Sequence, residues 1–283
     1  RAAPWKALKW MFDKEAPLLL RPQLDWEQWR WCLKFLAQCN DTAFERNVQQ
    51  IVALGAYSHA ALKDVVRATG IQYHRLECGI AHFYSDQKSL DEAGHAVEVM
   101  RKFGGQRRLV SRAELLQIEP AFSAYGERIT GGTYTSTDES GDARLFTQQL
   151  ARRCAERGAQ FLYGHDVLRL NKTGNTIDSV AVSAIQSGAT GQKHSILKGD
   201  AIVVACGSYS APLLRSVGVD LPIYPGKGYS ATFPLLRPEA APLVSAIDDG
   251  KKLAMSRLGD VLRVAGTIEL GGFDLSLDSP VAK

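Results

Sequence analysis

The feature that most constrains this chain is the run Asp200-Ala-Ile-Val-Val-Ala-Cys-Gly207, an apolar, β-branched stretch that ends in a turn of small residues before Ser208-Tyr-Ser-Ala-Pro-Leu-Leu214 resumes with a helical pattern. Such a run predicts a buried strand whose C-terminal end makes a close contact through its backbone. In open α/β sheets this crevice is where nucleotide ligands lie, because a small turn and a helix N-terminus bring N–H groups near phosphate oxygens. A purely structural strand-turn-helix has the same residues, so the order of the surrounding segments has to decide.

The 283 residues, 45% hydrophobic and 23% charged, belong to a globular chain long enough for one large or two ordinary domains. A net charge of +4, mixed along the chain, is too small for a nucleic-acid footprint. Cys32, Cys39, Cys78, Cys154 and Cys206 form no CxxC pair, and no two histidines stand at metal-ligand spacing, so neither a disulfide framework nor a zinc site is expected. A reducing compartment fits best. No segment has the uninterrupted apolar length of a spanning helix, and no signal peptide opens the chain. All five tryptophans (Trp5, Trp10, Trp26, Trp29, Trp31) fall in the first 31 residues among Lys6, Lys9, Lys14, Arg21 and Arg30. That mixture suits a membrane interface, but Pro4, Pro17 and Pro22 interrupt a long amphipathic helix and favour packing against the body.

Three capping boxes, Thr42-Ala-Phe-Glu45, Ser89-Leu-Asp-Glu92 and Ser111-Arg-Ala-Glu114, predict helix starts, and Asp142 is the natural N-cap of a fourth helix over 143–157. The first of these helices should stop at Gly70 and bury Ile51, Leu54, Tyr57, Ser58, Ala61, Leu62 and Val65. Strands are predicted over 71–76, 79–84, 131–136, 160–163, 167–170, 179–183 and 201–205, then over 228–233, 253–257 and 261–268, with Gly259-Asp260 turning a hairpin. Alternation along the last strand puts Arg263, Ala265, Thr267 and Glu269 on one face and Leu262, Val264 and Ile268 on a core face. The predicted fold class is α+β / α/β in two interwoven lobes: a helical segment 1–70, an α/β block 142–222, and blocks 71–141 and 223–283 sharing a large mixed or antiparallel sheet flanked by helices.

The order of motifs resembles the D-amino-acid oxidase superfamily of FAD-dependent flavoproteins, and within it the small subunits of bacterial D-amino-acid dehydrogenases. The matching words are Ala7-Leu-Lys-Trp-Met-Phe12 with Ala16-Pro17, Thr69-Gly-Ile-Gln-Tyr73, Ile118-Glu-Pro-Ala121, Thr130-Gly-Gly132, Asp138-Glu-Ser-Gly-Asp142 with Leu145-Phe-Thr147, Val203-Val-Ala-Cys-Gly-Ser-Tyr-Ser210, Ile223-Tyr-Pro225 with Lys227-Gly-Tyr-Ser230, and Gly271 with Phe273-Asp274. Each is short; their collinearity makes the match specific. The resemblance implies that 142–222 is part of an FAD-binding lobe on which 1–70 packs, and that 71–141 and 223–283 form the substrate domain. It implies that Val167 offers backbone groups toward the adenine and that Ala205, Cys206 and Gly207 pass near the adenosine and pyrophosphate. Tyr229, Arg263, Thr267 and Glu269 become candidates for the substrate side, with a solvated polar face as the competing reading.

The implied reaction is oxidation of a D-amino acid to an imino acid, hydrolysed to a 2-oxo acid and ammonia, with electrons passed to a quinone or another acceptor. No protein nucleophile or metal is needed, in keeping with the lack of a recognisable triad or carboxylate pair. A peripheral contact of the tryptophan-rich segment with the cytoplasmic side of the inner membrane would follow. A glycine or sarcosine oxidase-like enzyme, or a folded fragment that does not retain flavin, are the alternatives. The superfamily's opening GxGxxG unit and its C-terminal portion with a substrate-binding arginine have no counterpart here, which leads to the expectation of an interior piece of a longer enzyme that binds flavin weakly.

Overall fold

A computed structural model describes residues 18–185 and 194–277; Trp5, Trp10 and the first matching words lie outside them. The strands are β1 (Leu18–Leu20), β2 (Ile80–Tyr84), β3 (Arg108–Ser111), β4 (Gly131–Thr135), β5 (His165–Thr173), β6 (Thr176–Ala184), β7 (His194–Lys198), β8 (Lys227–Pro234), β9 (Ser245–Asp248), β10 (Leu253–Leu258) and β11 (Val261–Leu270). The α-helices are α1 (Trp26–Ala37), α2 (Asp41–Thr69), α3 (Gln87–Lys102), α4 (Arg112–Ile118), α5 (Ala143–Glu156) and α6 (Ser210–Arg215), and a 3-10 helix spans Pro120–Arg128.

Local chemistry sets most boundaries. Ser111 and Asp142 cap α4 and α5 by accepting from the Glu114 and Leu145 N–H groups, and Gly70, at φ 65°, closes α2. Two helices begin earlier than their capping boxes predict. Asn40 accepts from the Ala43 N–H and Asp86 from the Ser89 N–H, so an amide and a carboxylate upstream satisfy the orphan donors first.

Eight strands form one mixed sheet in the order β1-β11-β10-β9-β2-β4-β3, with β8 also paired to β11. The β1–β11 and β2–β9 pairs are parallel and the others antiparallel. A second, three-stranded sheet is β5-β6-β7. The large mixed sheet flanked by helices is the architecture expected from the sequence, and strands from 71–141 and 223–283 share it. One face, here the core face, carries Ala81, Phe83 and Ala246 and packs with Val110, Leu115, Phe122, Ile129 and Val244. The other is called the open face.

Four expectations are corrected. Residues 1–70 are not purely helical, because Leu18–Leu20 pair with β11 and extend the large sheet. Within 142–222 the sheet is an antiparallel meander; the tight turn at Gly174, φ 61°, leaves no room for the crossover a parallel pair requires. The runs at 71–76, 160–163 and 201–205 form no strand among the described residues, and Val203 is 87% exposed. An apolar run becomes a strand only when a neighbour takes its backbone hydrogen bonds; here Leu76 makes a single bridge to Ser140. Finally, Ile51, Leu54 and Tyr57 of α2 are 69%, 68% and 74% exposed, and Ala43 is the helix's buried residue. Periodicity identifies a face but not what covers it.

Candidate functional site

The last strand does not alternate as its sequence suggests. Arg263, Ala265 and Gly266 pair with Thr232, Ser230 and Tyr229 of β8, but Ile268 and Glu269 pair with Gly228 and Lys227, leaving Thr267 as an extra residue. This β-bulge reverses the parity of everything beyond it. Arg263 and Ala265 therefore lie on the open face, while Glu269 joins Lys227 and Tyr229 on the core face. The expectation that Arg263, Thr267 and Glu269 share a face is corrected. So is the assignment of Ile268 to the core: it moves to the open face and is 50% exposed.

The open face carries a polar row across four strands. Ser256 stands opposite Arg263, which stands opposite Thr232. Ser245 meets Ser256 through their hydroxyl oxygens at 3.0 Å, and Arg263 donates to the Ser230 hydroxyl at 2.9 Å. The neighbouring row is small, with Ala254 opposite Ala265 and Ala265 opposite Ser230. Arg263 is exposed, so the row presents a guanidinium beside short side chains, and a guanidinium can pair with an anion.

Behind it, on the core face, Glu269 is 1% exposed and is held by three donors. Its Oε1 lies 3.0 Å from both Arg21 Nε and Lys227 Nζ, and its Oε2 accepts from the Tyr229 hydroxyl at 2.8 Å. Burial alone would push the carboxyl up, but the bonds from Lys227 and Tyr229, with the Arg21 charge, hold it below the usual carboxylate range. Gln28, also 1% exposed, donates to the carbonyls of Arg21 and Leu270 and so fixes the chain beyond β1 against the end of β11. Sequence reasoning singled out Tyr229 but passed over Lys227, although a period of two places both on one face.

The cofactor-side candidates come from neighbouring elements, since α6, which follows the turn of Ala205 to Gly207, packs against β5. Val167 is on β5 and 46% exposed. Ala205, Cys206 and Gly207 form an exposed turn in which the Cys206 N–H donates to the Ser210 hydroxyl. Gly207 has φ 55°, and nothing lies within 4 Å of where a Cβ would stand, so a ligand can reach this backbone. The helix that follows has six residues, too short for the macrodipole that the sequence motif suggests. The turn reaches the segment that follows β11: the Tyr209 and Phe273 rings pack in a tilted arrangement with centroids 4.7 Å apart, and Lys227 Nζ donates to the Ser276 carbonyl in the same segment. Exposed backbone, small side chains and apolar Val167 and Val203 fit the adenosine side of a dinucleotide. Among the described residues no group of three His, Cys, Asp or Glu side chains could hold a metal ion.

Solved structures with a similar fold include a proline dehydrogenase and a glycine oxidase. The L-proline dehydrogenase from P. horikoshii superposes with a TM-score of 0.66 at 17% identity, over 80% of this chain and 59% of that one. Glycine oxidase from Geobacillus kaustophilus does so with a TM-score of 0.65 at 20% identity, over 81% and 59%. Residues 18–282 match the FAD dependent oxidoreductase family, and the chain belongs to that family. It is 43% identical to the D-amino acid dehydrogenase of Dechloromonas aromatica (strain RCB), over 98% of this chain and 67% of the relative. It is 38% identical to that of Granulibacter bethesdensis, over 97% and 63%. The chain thus spans about two thirds of the length of the curated relatives it matches.

Proposed function

We propose that this chain serves an FAD-dependent oxidative deamination of D-amino acids to 2-oxo acids and ammonia, with electrons leaving to a quinone or another acceptor. The observation that carries the reading is the 43% identity to a D-amino acid dehydrogenase sustained over 98% of the chain. When bound, FAD supplies the acceptor for the hydride leaving the substrate's α-carbon. This chain's residues supply binding and orientation. Val167 and the turn of Ala205, Cys206 and Gly207 would hold the adenosine side. On the open face, Arg263 would pair with a carboxylate, and Ser230 and Ser256 would accept from or donate to polar substrate groups.

Replacing Arg263 with alanine in the flavin-loaded enzyme is expected to raise KM for D-amino acids by about tenfold while kcat falls by about twofold at most, since a ground-state contact is lost along with the transition-state one. Steady-state assays at normal flavin content read this, and an unchanged KM would remove Arg263 from recognition. Glycine and sarcosine run in the same assay separate this reading from a glycine oxidase-like one.

The tryptophan-rich segment enters the same reading. On α1, Trp26 is 71% exposed, Leu33 64% and Trp29 40%, which supports a peripheral contact on the cytoplasmic side of the inner membrane. No helix among the described residues is long and apolar enough to cross a membrane. Co-sedimentation with anionic vesicles should fall when Trp26 and Leu33 are replaced by serine, and equal sedimentation would dismiss the contact.

A further inference from the structure

We propose that Glu269 is a positioning residue: from the core face it holds the bulge that delivers Ile268 to the open face, the face that carries Arg263. The inference rests on the reading of that face as the substrate side, but its mechanism is a matter of strand register.

A bulge gives up a ladder position, here at Thr267, and needs something that opposes the regular register. If Thr267 paired in turn, every residue beyond it would change face. Ile268 would then move to the core face, which suits an apolar side chain, and Glu269 would move out. The apolar preference thus works against the observed register, in which Ile268 is 50% exposed and Glu269 1% exposed. What opposes it is the set of donors already waiting on the core face. Lys227 and Tyr229 come from β8, and Arg21 from the residue that follows β1. An outward Glu269 would leave the Lys227 side chain, 14% exposed, without its carboxylate. The β1 pairing of Leu18 with Ile268 and of Leu20 with Leu270 adds backbone bonds to the same register.

Cysteine accessibility on the 283-residue chain tests this without substrate or cofactor. Ile268→Cys should label readily with a maleimide, followed by peptide mass mapping to separate it from the native cysteines. In a Glu269→Ala background labelling at position 268 should slow by about tenfold or more as the side chain turns inward, and Glu269→Gln, which keeps an acceptor of the same shape, should restore most of the rate. Should Glu269→Ala fail to fold, Glu269→Ser, a small polar side chain that reaches none of the three donors, should show the same slowing. Unchanged labelling in a folded Glu269→Ala or Glu269→Ser variant overturns the proposal, as does slow labelling in the wild-type background. Because no turnover is involved, the result stands apart from the D-amino acid assays, whose failure would overturn only the proposed reaction.

Discussion

Glu119→Ala is expected to destabilise the protein by about 3–5 kcal/mol. This carboxylate, 5% exposed, accepts three backbone N–H groups: Oε2 takes those of Leu243 at 2.7 Å and Val244 at 2.9 Å, and Oε1 takes that of Ala121 at 3.1 Å. It therefore pins the start of the 3-10 helix to the chain entering β9, and through β9 it supports the middle of the large sheet. Alanine would leave these donors unpaired, with Val244 only 4% exposed and out of reach of water. Glu119→Gln keeps one acceptor oxygen but turns an amide N–H toward a donor, and should lose roughly half as much. Urea denaturation of the three proteins gives the comparison; an alanine variant within about 1 kcal/mol of wild type would mean that the two segments are held together by packing alone.

Gly132→Ala should cost about 3 kcal/mol or more, for a steric reason. A Cβ at this position would stand 2.5 Å from the His82 carbonyl oxygen, 3.3 Å from Leu115 Cδ2 and 3.4 Å from Val110 Cγ2. The oxygen belongs to β2, which is paired on both sides by β4 and β9, so it cannot withdraw without opening a ladder. The adjacent Gly131 is the control. Its nearest obstacle is Leu90 Cδ2 at 2.8 Å, the far end of a flexible side chain, so Gly131→Ala should cost clearly less. Equal losses in thermal unfolding at the two positions would show that β2 moves more freely than the sheet order implies.

These positions show how far the sequence carries. Where the determinant is local it was legible: the caps at Ser111 and Asp142, the stop at Gly70, and the hairpin at Gly259 each depend on a residue and its immediate neighbours. Glu119 lies in one of the matching words, yet nothing near it says that its carboxylate will hold Leu243, 124 positions away. The bulge at Thr267 is invisible for the same reason, since β11 reads as regular alternation and the extra residue exists only relative to β8. That hidden residue is why Arg263 and Glu269, assigned one face by parity, lie on opposite faces of the sheet. The run at 201–205 marks the opposite case, with clear strand chemistry and no described partner to receive it.

The pairing of β1 with β11 constrains the order in which the chain can reach its final form. Gln23 donates to the Gly271 carbonyl across 248 positions, and Leu18–Leu20 zip alongside Ile268 to Leu270. At a synthesis rate of roughly 5–20 residues per second, these N-terminal residues leave the ribosome on the order of tens of seconds before their partner strand exists. During that interval three leucines in extended backbone have no sheet to join, which makes this short segment a natural handle for a chaperone. Closure of this edge therefore waits for the arrival of Glu269 and Leu270, whatever the segments between the two strands have already formed.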